Sequence, residues 1–264
     1  MKKNINILKN INKKYYLILG VILILLIIVI GYNFLGFKDG LFSTNSDGDI
    51  FADEYESLNN KMADDKNKYP KVNIKFDNIK YISVDELLKM LSSGSKLDGT
   101  GAVYIGYAEC LYCRNAVQIL IDTAKKSNID KIYYLDISEV WDIKELDSNG
   151  EAVEKQAAAS KYFELLDRLG DEYTKDYILS DKDGKEVNLG YKRVEAPLVL
   201  FVVGGEIVSS HIGTTYYQKS PFDELDEYQK SWLSDIYKYG LRDVVDGINY
   251  FKQLEIEEAK QKNK

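Results

Sequence analysis

Cysteine, histidine and proline are scarce in this sequence of 264 residues, which holds two Cys, one His and three Pro. A structural zinc site normally takes four ligands from Cys and His, so a chain with only Cys110, Cys113 and His211 argues against one. The formal net charge of −7 argues against nucleic acid as a partner, because neutralising phosphates takes clustered Lys and Arg. We therefore expect no metal site, no cofactor and no nucleic-acid interface.

Charged side chains are missing between Tyr15 and Phe37, and most of this stretch is Leu, Ile and Val. A helix of this length would cross the roughly 30 Å hydrocarbon core of a bilayer. Lysines precede the run and acidic residues follow it, which predicts a cytoplasmic N-terminus. A cleaved signal peptide is the alternative, but the run is long for one and lacks a small-x-small cleavage site. We expect a basic tail over 1–14 and a single-pass anchor in the cell membrane over 15–37, with the remaining chain extracytoplasmic.

Residues 38–70 are polar and carry only scattered apolar side chains, which predicts a tether with one short helix near 53–62. From residue 71 onward, apolar residues occur in alternation with polar ones or in short blocks, so we expect a folded domain over 71–253. Residues 254–264 are mostly charged and are expected to form a frayed tail.

Within the domain, apolar periodicity and turn signals predict an alternation of strands and helices. A capping box at Ser83–Glu86 opens a helix, and a Pro at 221 after Ser220 is expected to open the last one. The expected strands cover 72–76, 79–82, 102–107, 132–137, 197–203 and 206–212. A strand, a helix and a further strand in this order predict parallel neighbours in one α/β sheet. The segment 138–190 is expected to hold a helix over 153–169 and a turn at Asp183–Gly184.

The two cysteines stand three residues apart, where a buried strand gives way to a helix. Residues at i and i+3 in a first helical turn can meet the Cα spacing that a disulfide requires. Backbone N–H groups at a helix N-terminus favour a negative sulfur, so Cys110 is the candidate nucleophile. Cys113, one turn further in, would resolve a mixed disulfide by attacking Cys110. A purely structural disulfide and a binding module that merely kept its cysteines are the alternatives.

The order of strand, Cys-x-x-Cys, helix, strand, Pro-led strand, Gly turn, strand and terminal helix resembles the thioredoxin family over 79–251. This resemblance implies a mixed central sheet flanked by helices and a cis peptide bond before Pro197, which would lie against the sulfurs. It also implies that the backbone of Ala196 pairs with a substrate peptide, that Gly213 lies in the neighbouring loop, and that Leu111 and Tyr112 face the substrate. The segment 104–114 resembles Gram-positive thioredoxin-like proteins known as bacteriocin transport accessory proteins.

Four features depart from the thioredoxin pattern. The cysteines enclose Leu111 and Tyr112 with no Gly-Pro, and Glu109 stands in the place of a Trp, where its charge would oppose thiolate formation. Tyr104 occupies the position of the buried acid, so another group or water must handle the proton of Cys113. The stretch before Pro197 is longer than in thioredoxins, which implies a helical insertion over 138–190.

The sequence thus predicts a membrane-anchored thiol–disulfide oxidoreductase that acts on protein or peptide thiols and disulfides, together with a redox partner protein. The alternative is an anchored accessory module that binds an exported peptide or a transporter without redox turnover. His211 is interpreted as an edge-strand histidine with no redox role.

Overall fold

The structure is a computed structural model that describes residues 46–75, 78–94 and 96–262. Its helices over these residues are α1 (Asp47–Glu56), α2 (Val84–Ser92), α3 (Leu111–Lys126), α4 (Tyr162–Leu169) and α5 (Glu227–Lys262), with a short 3₁₀ turn at Leu97–Gly99. Its strands are β1 (Ile79–Tyr81), β2 (Gly101–Gly106), β3 (Ile132–Asp136), β4 (Ile143–Leu146), β5 (Ala152–Gln156), β6 (Thr174–Ser180), β7 (Glu186–Val194), β8 (Leu198–Val203) and β9 (Glu206–Ile212). None of the described helices is long and apolar enough to span a bilayer. The expected anchor over 15–37 lies outside the described residues.

Five strands form a mixed sheet in the order β1-β3-β2-β8-β9. The strands β1, β3 and β2 run parallel, as the strand–helix–strand pattern predicts, whereas β8 runs antiparallel to β2 and β9 antiparallel to β8. Buried residues of α1, α3 and α5 pack on one face of this sheet, and those of α2 and α4 pack on the other. The predicted α/β class with a mixed sheet flanked by helices is confirmed.

The capping box predicted at the start of α2 is present. The Ser83 hydroxyl accepts a hydrogen bond from the Glu86 amide at 3.2 Å, and the Glu86 carboxylate accepts one from the Ser83 amide at 2.8 Å. These reciprocal bonds satisfy two amide groups that a helix N-terminus leaves unpaired. The helix then buries Leu87 and Leu91 beneath the sheet, so its apolar spacing was read correctly.

The tether expected over 38–70 is wrong from Ser46 onward. Helix α1 occupies 47–56, earlier than the helix expected near 53–62, and it starts at a capping box between Ser46 and Asp49. Phe51 and Tyr55 are four residues apart, lie on one helical face and are fully buried in the core. These two aromatic side chains therefore anchor an otherwise polar segment in the core.

The strand expected over 72–76 is absent from its described residues, 72–75. Side chains bind the backbone amides there: Asn59 Oδ1 accepts from Val72 N at 3.1 Å, and Glu56 Oε1 accepts from Ile74 N at 2.6 Å. Since these donors are used, the segment has no need of a strand partner. Val72 and Ile74 are nevertheless buried, as their alternation indicates.

The helical insertion expected over 138–190 is mainly β structure. It consists of the antiparallel hairpins β4-β5 and β6-β7 with the short helix α4 between them. The helix expected over 153–169 is correct only for α4, because residues 152–156 form the exposed strand β5. Asp147 Oδ1 accepts hydrogen bonds from Asn149 N and Glu151 N, and the resulting turn reverses the chain into β5. The turn expected at Asp183–Gly184 is confirmed.

The last helix begins later than Pro221 predicts. Asp226 Oδ1 accepts from Gln229 N at 2.8 Å and Gln229 Oε1 accepts from Asp226 N at 2.9 Å, so a capping box opens α5 at Glu227. The helix continues through the charged residues to Lys262, which corrects the frayed tail expected over 254–264 as far as the described residues extend.

Candidate functional site

The two cysteines form a disulfide at the N-terminus of α3, with their Cα atoms 5.0 Å apart. Cys110 is the N-cap residue, and its Sγ accepts a hydrogen bond from the Cys113 amide at 3.1 Å. Such an amide stabilises negative charge on the sulfur when the bond opens. Cys110 retains 7% of its surface and Cys113 retains none. An external thiol can therefore approach Cys110 much more easily than Cys113.

The segment before β8 lies against these sulfurs. The Ala196–Pro197 peptide bond is cis, as the resemblance implies, and the Ala196 carbonyl oxygen is 3.6 Å from Cys110 Sγ. The Gly213 amide donates a hydrogen bond to the Pro197 carbonyl at 2.8 Å, which fixes the neighbouring loop beside it. Gly213 has a φ of +78°, a conformation that L side chains rarely adopt. The Ala196 amide takes no backbone partner among the described residues, so it is available to an extended peptide.

A groove of about 880 Å³ runs from this segment across to the insertion. Aromatic side chains dominate its lining: Tyr107, Tyr112, Trp141, Tyr216 and Trp232. Arg193 from β7 also lines it, stacked with its guanidinium carbon 3.8 Å from the Trp141 ring centre and 4.2 Å from that of Tyr177. Ala196 and Gly213 line the same groove, whereas Leu111 does not.

Arg114, the residue after Cys113, is a buried cation with 1% of its surface exposed. Its guanidinium donates to the carbonyls of Pro70 and Tyr55 at 2.7 Å each, to the Ala108 carbonyl at 3.2 Å and to Asn59 Oδ1 at 2.8 Å. It makes no ion pair with a carboxylate in the described part of the chain. Burial lowers the pKa of Arg114, although an arginine remains charged at neutral pH. Arg114 thus links the segment 55–70 to α3 by hydrogen bonds and places a positive charge at the start of that helix.

Three buried tyrosine hydroxyls lie beneath the cysteines. Tyr104 of β2 and Tyr55 of α1 share a hydrogen bond of 3.0 Å, and the Tyr104 hydroxyl also donates to the Cys113 carbonyl at 3.4 Å. The Tyr134 hydroxyl donates to the Gly106 carbonyl at 3.3 Å. Burial raises the pKa of all three phenols well above the usual value, so all of them stay protonated at neutral pH.

His211 lies on the edge strand β9, as expected, and lines the groove. Its Nε2 is 2.6 Å from the Thr214 carbonyl oxygen, which makes this nitrogen the protonated one in the neutral ring. Burial lowers the pKa of His211, more than the Thr214 contact raises it. The imidazole is therefore neutral at pH 7 and packs edge-on against Trp232 and Tyr237 of α5.

Four of the residues expected at the site come together around one disulfide: Cys110, Cys113, Ala196 and Pro197. Gly213 and the exposed Tyr112 border them, and Glu109 is exposed to solvent on the other side of Cys110. The chain matches no protein-family model, no curated protein and no solved structure.

The sequence did not predict the roles of Tyr55, Arg114, Trp141 and Arg193. Tyr55 lies in the segment for which the sequence predicts a tether, although its spacing of four from Phe51 is a signal of a buried helical face. Arg114 follows Cys113 directly, and three of its four acceptors come from residues 55–70, far from it along the chain. Trp141 and Arg193 belong to hairpins whose pairing brings them to the groove, and no local pattern marks that.

Proposed function

We propose that this chain is a membrane-anchored, extracytoplasmic thiol–disulfide oxidoreductase with a thioredoxin-like fold. One observation carries the proposal: a disulfide at a helix N-terminus whose outer sulfur lies 3.6 Å from the backbone of a cis X–Pro segment. A purely structural bridge over so short a loop would constrain the unfolded chain only weakly. The membrane anchor rests on the apolar run over 15–37 alone.

Thiol–disulfide exchange takes place at Cys110 Sγ, the more accessible of the two sulfurs. In the oxidising direction a substrate thiolate attacks Cys110 Sγ, the Cys110–Cys113 bond breaks, and Cys113 Sγ leaves with the electron pair as a thiolate. A second substrate thiol then attacks the mixed disulfide and releases Cys110, so the substrate loses two electrons and the protein gains them. The reverse sequence reduces a substrate disulfide. In either direction a redox partner protein must restore the starting state of the pair.

The substrate is a peptide or protein segment in extended conformation. The free Ala196 amide and the adjacent carbonyl offer hydrogen bonds to a strand-like backbone. The aromatic groove beside them offers apolar contact to the side chains that flank the substrate cysteine. Tyr112, with 41% of its surface exposed, lies next to the sulfurs and lines this groove.

The same groove favours the second candidate, a module that binds an exported peptide or a transporter without redox turnover. A groove of about 880 Å³ with five aromatic residues can hold a peptide whether or not the disulfide opens. Titration of the purified chain with dithiothreitol or glutathione separates the two candidates. A thiol–disulfide transition supports the enzyme, and its absence from the folded protein supports the module.

The substrate can be captured on Cys110. We expect a Cys113→Ser variant, expressed in the cells that make the protein, to accumulate mixed disulfides because the resolving thiol is missing. The matched control is Cys110→Ser, which should accumulate none because Cys113 is fully buried. Mass spectrometry of the adducts identifies the partners. Identical adduct patterns in the two variants would contradict the assigned roles.

A further inference from the structure

The tyrosine hydroxyls beneath the disulfide offer a hydrogen bond that the sulfur of Cys113 lacks. Among the described residues, Cys110 Sγ accepts from the Cys113 amide, whereas no donor reaches Cys113 Sγ. Cys113 is fully buried, so water does not supply that donor at its surface. A thiolate formed there without a hydrogen bond would be costly, because burial in an apolar environment disfavours the charged form.

The Tyr104 hydroxyl already contacts Cys113 through its carbonyl oxygen, at 3.4 Å. If Gly106 carried a Cβ atom, that atom would lie 2.7 Å from the Tyr104 hydroxyl oxygen and 3.2 Å from Cys113 Sγ. The hydroxyl and the sulfur therefore both lie next to the same point of the β2 backbone. Only a residue without a side chain leaves that space open between them.

We propose that the Tyr104 hydroxyl, held by Tyr55, turns its hydrogen from the Cys113 carbonyl oxygen to Cys113 Sγ when the disulfide opens, and thereby stabilises the Cys113 thiolate. Tyr104 is then a positioning residue that takes the place of the buried acid expected from the resemblance. This inference rests on the proposed function, since it requires that the Cys110–Cys113 bond opens during the working cycle.

The chemistry of the step is balanced without proton transfer from the phenol. A thiolate of a dithiol reductant attacks Cys110 Sγ, the bond to Cys113 breaks, and the electron pair remains on Cys113 Sγ. The Tyr104 hydroxyl shares its hydrogen with that thiolate and keeps it, because burial holds the pKa of Tyr104 far above that of a thiol. The thiolate takes its own proton later from the second thiol of the reductant or from solvent.

Several titratable groups lie in the cluster that buries Cys113 or act on its tyrosines, and the test has to separate them. They are Tyr55 on α1, Tyr104 on β2, Tyr134 and Asp136 on β3, Arg114 on α3 and Tyr237 on α5. Tyr134 is the matched control, since it is equally buried, stacks on Tyr104 with ring centres 5.6 Å apart, and donates to the Gly106 carbonyl. Replacing it with Phe removes a hydroxyl from the same cluster and leaves both hydroxyls of the Tyr104–Tyr55 hydrogen bond in place.

The test measures the pKa of Cys113 directly. In a Cys110→Ser background Cys113 is the only cysteine, so a ¹³Cβ label on cysteine gives one NMR signal whose shift follows ionisation of the thiol. We expect Tyr104→Phe to raise the pKa of Cys113 by about one unit, a tenfold loss in the ionisation constant. Tyr55→Phe should raise it by less, because the Tyr104 donor remains. Tyr134→Phe should leave it unchanged.

A second measurement uses the chain with both cysteines. A poorer leaving thiolate should slow the reduction of the disulfide by dithiothreitol about threefold in Tyr104→Phe. A merely loosened core would expose the disulfide and speed its reduction, so the sign of the change separates the two explanations. If Tyr104→Phe does not fold, Tyr55→Phe supplies the same readouts.

Two failures are distinguishable. An unchanged Cys113 pKa and an unchanged reduction rate in Tyr104→Phe, or in Tyr55→Phe where it alone folds, would overturn the inference while the unmodified chain still shows its thiol–disulfide transition. Absence of that transition in the unmodified chain would overturn the proposed function, and the inference would fall with it.

Discussion

The two faces of the five-stranded sheet are built from different side chains, although they share the same strands. Side chains alternate along a strand, so β2 sends Tyr104 to one face and Val103 and Ile105 to the other. On the first face, which also buries the cysteines, four tyrosine hydroxyls are enclosed: those of Tyr55, Tyr104, Tyr134 and Tyr237. The opposite face is almost wholly aliphatic around α2 and α4.

The aliphatic side chains of one face therefore contribute mainly to stability, whereas the polar groups of the other face also affect the chemistry of the disulfide. The aliphatic face buries one tyrosine hydroxyl, that of Tyr162, which accepts from the Val194 amide at 3.3 Å, and otherwise it stabilises the fold by packing. The contribution of packing depends on apolar area and on the absence of cavities. The face with the tyrosines is called here the hydroxyl face. It contains the disulfide, the buried Arg114 and the hydrogen bonds that these groups make. Substitutions on the two faces should therefore change different observables.

The largest loss of stability is expected from Arg114→Met on the hydroxyl face. Methionine fills part of the volume but donates none of the four hydrogen bonds that the guanidinium makes, which should cost about 4 kcal/mol of unfolding free energy. Equilibrium unfolding of the chain in urea measures the loss. Arg242→Met, at an exposed arginine whose ion pair is with its neighbour Asp243, should stay within about 0.5 kcal/mol. A loss below about 1 kcal/mol in Arg114→Met would mean that these hydrogen bonds do not anchor residues 55–70.

A slightly smaller loss is expected on the aliphatic face from Ile105→Ala. Ile105 is fully buried between the strands and α4, and truncation leaves a cavity that should cost about 3 kcal/mol. Because Ile105 points away from the cysteines, the rate of disulfide reduction by dithiothreitol in the folded state should remain unchanged. A changed rate of disulfide reduction in Ile105→Ala would mean that side chains of the aliphatic face also affect the disulfide.

The sequence predicts the sheet and the cysteine site because both depend on local patterns. A block of apolar residues predicts β2, and Cys spacing at a strand-to-helix junction predicts a bridge at the start of α3. Contact between Cys110 and Ala196, which are 86 residues apart, was expected only from the resemblance. Nothing in composition or periodicity brings these two segments together.

The sequence predictions that the structure contradicts share one physical cause: the residues that determine the local structure are distant along the chain. Helix α1 has the sequence of a mostly solvated helix, and its Tyr55 carbonyl accepts a hydrogen bond from Arg114, 59 residues later in the chain. Strand β5 is exposed along almost its whole length, so it lacks the alternation that predicts strands, and its pairing with β4 alone defines it. At α5, Ser220–Pro221 and Asp226–Gln229 both satisfy the rules for a helix start, and only the second pair makes both bonds of the capping box.

A further prediction concerns acid sensitivity, which should also belong to the hydroxyl face. His211, the single histidine, packs against Tyr237 on that face, and burial lowers its pKa in the folded state. The unfolded chain then binds a proton more readily than the folded one, so stability is full above the unfolded pKa of about 6.5 and falls as the pH drops below it. His211→Gln should remove this part of the fall between pH 7 and 5.5, measured by urea unfolding at both values. Equal slopes in the two proteins would contradict it.

The smallest change is expected from Tyr237→Phe, which tests how far the hydroxyl face extends toward α5. The Tyr237 hydroxyl is buried and has no hydrogen-bond partner among the described residues, unlike the hydroxyls of Tyr55, Tyr104 and Tyr134. Removing an unpaired buried hydroxyl should leave stability unchanged or raise it by up to about 1 kcal/mol, whereas Tyr134→Phe, which loses a bond to Gly106, should lower it by a similar amount. Urea unfolding of both variants gives the comparison. A clear loss in Tyr237→Phe would mean that its hydroxyl is paired, and the polar network beneath the cysteines would then reach the last helix.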